Sequence, residues 1–208
     1  MLARPAGLTS TSTGRISAVR GVSYSQMNAI WKVARTGSIR LRIVAGTWQR
    51  CANLTFPVAK RITIPALSIN LPVIGGPDTY PPCNVAMYLK PLWQPREPGV
   101  TFVYAHARTG MFLPLLERSK INDGASLIGM TIRVYTGDSK LNTYKIDKVR
   151  RHVTSAQDAV GVTRERLWLQ TSEGPNWTYP KLIVEAHRVS TTTASYAASH
   201  PTPHPIAC

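Results

Sequence analysis

Acidic side chains are scarce in this chain: ten Asp and Glu stand against twenty-five Lys and Arg, a formal net charge of +15 over 208 residues. The scarcity is uneven. Residues 1–60 contain no Asp or Glu and carry nine basic side chains, so they account for +9, and residues 61–208 account for the other +6. Cysteine is also sparse, and its number is odd: Cys51, Cys83 and Cys208. An odd count does not suggest a disulfide framework. No Cys-x-x-Cys pair or Cys/His cluster occurs, which excludes the usual structural metal sites, and no cofactor is expected. No run of ~18 apolar residues offers a membrane span, and the N-terminus lacks the apolar core of a signal peptide. Membrane association would follow only if the true N-terminus differs from Met1.

What is present suits a β-rich globular domain. Apolar residues make up 43% and charged residues 17%, a balance that supports a core. The basic first third, residues 1–60, is poorly patterned, with a low-complexity Thr9–Thr13 and a short candidate helix over Gln26–Arg35. A basic arm attracts phosphate electrostatically, but no aromatic and basic interleaving of the kind that stacks on bases occurs, so specific nucleic-acid binding is not expected.

From Arg61 the texture changes. Arg61–Pro65 and Leu67–Val73 alternate with a period of two, and Pro65 and Pro72 point to bends or edge positions. Gly75–Asp78 is a turn, Pro81–Leu89 has the entry prolines of a short helix, and Gln94–Gly99 is a loop. Val100–Ala105 is an apolar strand that stops at His106. Met111–Arg118 suits an apolar turn of helix or an irregular segment, and Asn122–Gly124 a hairpin-type turn. Further strands are expected over Met130–Thr136, Asn142–Arg150, Arg164–Thr171 and Lys181–Val189. Seven or eight short strands with few helices predict a mainly all-β barrel or sandwich over 61–190. The Thr/Ala/Ser/Pro/His-rich tail, 191–208, has the composition of a disordered segment.

Strand ends concentrate the chemistry. His106 follows one, the pair Thr171-Ser172 closes another, and Lys181 opens a third. A nucleophile, a base and a cation on neighbouring strand ends would meet the needs of covalent catalysis.

Three stretches, in this order, carry a family resemblance: ITIPALSINLPV (Ile62–Val73), YAHARTGMF (Tyr104–Phe112), and LWLQTS (Leu167–Ser172) followed by KLIVEA (Lys181–Ala186). Together they resemble a sortase, the cysteine transpeptidase that attaches surface proteins to Gram-positive-type cell walls, and the Ala-His-Ala-Arg version is most like class F. The resemblance implies a closed β-barrel of about eight strands with one or two short helices. It implies a place at the cell envelope, a sorting-signal peptide as substrate and an amine acceptor as second partner. In that family a Thr-Cys pair ends the strand before the active loop, a His moves protons, and an Arg opens the last strand. Carried over, His106 matches the His, Ser172 stands at the Cys position and Lys181 at the Arg position.

Both departures have physical consequences. A serine hydroxyl does not ionise near neutrality as a thiol does, and needs a placed base. His106 is the expected base. Lys181 would supply positive charge, without the planar fork of Arg. The pair of changes points to acyl transfer or hydrolysis that is slowed, or to a sortase-fold module that binds peptide without cutting it. Phe112, Leu113 and Thr171 are the expected substrate-binding residues, and Cys83, in Pro81-Pro82-Cys83-Asn84, is a candidate reactive thiol near the groove. His152 and His187 need no function.

Overall fold

The computed structural model describes residues 57–76, 81–174 and 180–208, together with four short strands nearer the N-terminus. The chain divides into two compact units, Met1–Phe56 and Pro57–Cys208. In the first, β1 (Thr9–Ser10) pairs with β2 (Ile16–Ser17) and β3 (Arg40–Val44) with β4 (Thr47–Cys51), both antiparallel. The helix expected over Gln26–Arg35 lies outside the described residues.

The second unit is a closed barrel of eight strands: β5 (Ala59–Ile64), β6 (Ile69–Gly76), β7 (Ala86–Leu89), β8 (Val100–Tyr104), β9 (Thr131–Thr136), β10 (Lys140–Val153), β11 (Arg166–Ser172) and β12 (Lys181–Thr193). Around the barrel the order is β10-β12-β11-β8-β7-β6-β5-β9. Two neighbouring pairs are parallel, β6 with β7 and β8 with β11; the others are antiparallel. Closure removes the exposed edges that a sheet of this size would otherwise present. Pro72 costs no ladder bond because β6 changes partner beside it. Ile69–Pro72 pair with β5, and Val73–Gly76 pair with β7.

Alternation builds two apolar clusters on the two faces of one sheet. Ile62, Val73, Val103, Leu167, Leu169, Leu182 and Val184 fill the barrel interior. Phe102, Tyr104, Trp168 and Ile183 form a second cluster on the outer face, joined by Ala159 from a 3-10 turn at Gln157–Gly161. Every residue of β8 is therefore buried, as expected of a strand covered on both sides.

One helix, α1 (Leu113–Ser119), follows β8, with Pro114 in its first turn and Leu115 and Leu116 buried. The helix expected to start at Pro81 is not formed. Its C-terminal half is β7, which takes ladder bonds from β6 on one side and β8 on the other. Two flanking ladders outweigh the helical propensity of Ala, Met and Leu in a four-residue segment.

The tail is likewise ordered, against the expectation of disorder. β12 runs on to Thr193, paired with Lys140. Ser195 caps a short helix, α2 (Tyr196–Ser199), by accepting from the Ala198 amide at 3.2 Å. Tyr196 stacks on His200, and Arg61 donates to the Ala198 carbonyl at 3.3 Å. Beyond it, Ile206 forms an antiparallel bridge with Cys83, and Cys208 is bonded to Cys83 as a disulfide. The tail is held by backbone pairing and one covalent bond, neither of which has an apolar signature in sequence.

Candidate active site

The site is assembled by strand register. β8 and β11 are parallel, with Tyr104 level with Gln170, and the Ala105 amide donates to the Gln170 carbonyl at 3.2 Å. Two residues past that level stand His106, just beyond the end of β8, and Ser172, the last residue of β11. β11 and β12 are antiparallel, and Ser172 is directly opposite Lys181. Three adjacent strands thus deliver His106, Ser172 and Lys181 to the same rim of the barrel. By alternation Ser172 and Lys181 share the outer face with Trp168 and Ile183.

Lys181 Nζ donates to Ser172 Oγ at 2.7 Å. The lysine is 7% exposed, and that burial holds its ammonium below the ordinary lysine range. His106 Nε2 lies 2.5 Å from the carbonyl oxygen of Pro81. A carbonyl only accepts, so Nε2 carries the hydrogen and the neutral ring has its lone pair on Nδ1. Burial is the main influence that lowers the His106 pKa. The Pro81 bond acts against it, and the charges of Arg108 and Lys181 add to it. Next to Ser172, the carboxylate of Glu173 is engaged by His152 Nδ1 at 2.7 Å and by Arg151 Nε at 3.4 Å. Among the described residues no group of His, Cys, Asp and Glu is placed to hold a metal ion.

The other expected site residues are placed differently. Phe112 is fully buried in the barrel interior, so it lines no groove. Its backbone also reaches the site: the Phe112 amide donates to the His106 carbonyl at 3.0 Å. Thr171 faces inward opposite Leu182 and is 1% exposed, out of reach of a peptide. Leu113 is half-buried and lines an open cavity of about 490 Å³ with Arg108, Thr109, Cys83, Ile206 and Cys208. Cys83 carries no thiol, because it is half of the disulfide with Cys208. Sequence reasoning missed that pairing because an odd cysteine count hides a single pair. It also missed the Pro81 carbonyl, since a main-chain acceptor leaves no mark on residue identity. Glu173 follows Ser172 in the sequence, and its partners His152 and Arg151 come from β10.

A family model for the sortase domain matches residues 62–189, more than half of the chain. The chain belongs to the sortase family. Solved sortase structures share its fold at low identity. Listeria monocytogenes sortase A superposes with a TM-score of 0.54 at 18% identity, covering 70% of this chain and 99% of that one. Group B Streptococcus Pilus Island 1 sortase C2 gives 0.53 at 14%, covering 80% and 97%. Sortase A from Corynebacterium diphtheriae gives 0.51 at 16%, covering 81% and 86%. No curated protein matches the chain. Sortases are cell-envelope proteins that act on sorting-signal peptides and amine acceptors. Among the described residues no helix is long and apolar enough to cross a membrane.

Proposed function

We propose that this sortase performs acyl transfer or hydrolysis on sorting-signal-type peptides, at a Thr carbonyl, with Ser172 as the nucleophile in the position where its family uses Cys. The observation that carries this reading is the contact between Ser172 and Lys181 at 2.7 Å, with His106 leaving the adjoining strand at the same level. Between them His106 and Lys181 take the proton of Ser172 and stabilise charge on the attacked carbonyl oxygen. A place outside the cytosol agrees with the Cys83–Cys208 disulfide, because such bonds persist in oxidising compartments.

One observation favours the alternative, a module that binds peptide without turnover. A protonated Lys181 donates to Ser172 Oγ and has no lone pair of its own with which to take the proton that attack must release. Mass spectrometry of the full chain incubated with sorting-type peptides separates the two. An acyl adduct on Ser172, or cleavage after Thr, supports acyl transfer; intact peptide bound with neither supports the module.

A further inference from the structure

The sortase pattern places a permanent cation where Lys181 stands, and an arginine there has no proton to accept or give near neutral pH. Lysine differs in that its amine can be neutral. The surroundings of Lys181 suit that form. Its backbone is held on both sides, by Ser172 of β11 and Val153 of β10, so the direction of the side chain is set by a central strand. Its stem rises on the same outer face as Ile183 and Trp168, and the whole residue is 7% exposed. The ionisable groups on the strand ends around it are His106 and Arg108 after β8, Arg151 and His152 at the end of β10, and Glu173 after β11. Glu173 is engaged by Arg151 and His152.

We propose that Lys181 is the general base that activates Ser172, so that this sortase works through a serine–lysine dyad rather than through its histidine. The assignment rests on the reading of Ser172 as nucleophile. Serine–lysine pairs serve the same chemistry on unrelated folds. The neutral Nζ accepts the proton of Ser172 Oγ as the Oγ–carbonyl carbon bond forms. The resulting ammonium returns that proton to the leaving nitrogen as the C–N bond breaks, which leaves an ester on Ser172. The incoming amine or water then loses a proton to Nζ as it attacks the ester, and the ammonium reprotonates Oγ as the ester bond breaks. No other reactant is consumed. His106 remains a neutral ring whose Nε2 hydrogen is given to the Pro81 carbonyl. Burial, which lowers the Lys181 pKa, brings the neutral amine closer to working pH.

The test uses the full chain and a fluorophosphonate, which labels an activated serine without needing a sorting peptide. Labelling of Ser172 is followed by intact mass from pH 6 to 10. The rate should rise with pH through a midpoint below the ordinary lysine value of 10.5. Lys181→Met and Lys181→Arg should each lower it by about 100-fold or more, the lower bound for a positioned general base. His106→Gln should keep the pH midpoint of the unaltered chain. In parallel, the ¹³Cε resonance of Lys181, assigned by its loss in Lys181→Met, should titrate at that same midpoint. Three results overturn the dyad: Lys181→Arg labelled at the unaltered rate, a midpoint that moves with His106→Gln, or no labelling at any pH. A chain that labels through Lys181 yet neither cleaves nor acylates with sorting-type peptides keeps the dyad and sinks the proposed substrate. Peptide acylation that survives Lys181→Arg does the reverse.

Discussion

Breaking the Cys83–Cys208 bond should cost this protein a large part of its stability. The two cysteines are 125 residues apart in sequence and 5.3 Å apart between Cα atoms. Closing a loop of that length removes roughly 16 cal/mol/K of chain entropy from the unfolded state, or about 5 kcal/mol at room temperature. Domains of this size have a total stability of about 5–15 kcal/mol. The figure is an upper bound, since residual structure in the unfolded chain reduces it. Reduction should also free the bridge in which Cys83 and Ile206 exchange backbone bonds of 2.9 and 3.3 Å. The assay is guanidinium unfolding followed by tryptophan fluorescence, with and without dithiothreitol, and with Cys208→Ser as the variant that needs no reductant. Both perturbations should lower the midpoint by about 1 M. Because Pro81, two residues before Cys83, accepts from His106, the imidazole resonances of His106 should shift as well. Thiol titration in denaturant should find two fewer thiols without reductant than with it. Equal counts with and without reductant, or a midpoint unmoved by reduction, would refute the reasoning.

Three further outcomes follow from burial and charge. Phe112→Ala should destabilise the fold by about 3–5 kcal/mol in the same unfolding assay, because Phe112 is a fully buried core residue rather than a groove residue; a variant with unchanged stability and only a weaker KM for peptide would return it to the groove. Thr171→Val should be neutral or stabilising by about 1 kcal/mol, since the buried Thr171 Oγ1 has no hydrogen-bond partner among the described residues. His106 should titrate below 6.5 in an NMR pH series. Its folded pKa is depressed, so between that value and 6.5 the unfolded chain binds more protons, and stability rises with pH across this window. His106→Gln should remove that part of the acid-side loss. An unchanged pH slope would count against a half-buried, neutral ring.

Much of the barrel was legible because its signals are local. Alternation in Arg61–Pro65, Met130–Thr136 and Asn142–Arg150, and turn residues between the strands, mark β5, β9 and β10 without reference to anything distant. His106, Ser172 and Lys181 were likewise legible as polar residues at strand ends. β7 was not, because four residues become a strand only when two neighbours pair with them. The tail was not, because its order comes from pairing with Lys140, Arg61 and Cys83, far away in the chain.

By itself, then, the sequence determined most of the strand pattern, the family resemblance, and the positions of His106, Ser172 and Lys181 at or just beyond strand ends. Only the tertiary structure decided which way they face. β11 and β12 are apolar on both faces, with Leu167 and Leu169 on one side and Trp168 on the other. Alternation therefore puts Thr171 and Ser172 on opposite faces but does not say which face is the interior. The closure of the barrel does: it turns Thr171 inward and Ser172 outward, opposite Lys181 at 2.7 Å. A side chain's face depends on the strands that pair beside it and on the elements that cover the sheet, and neither is written at its own position in the chain.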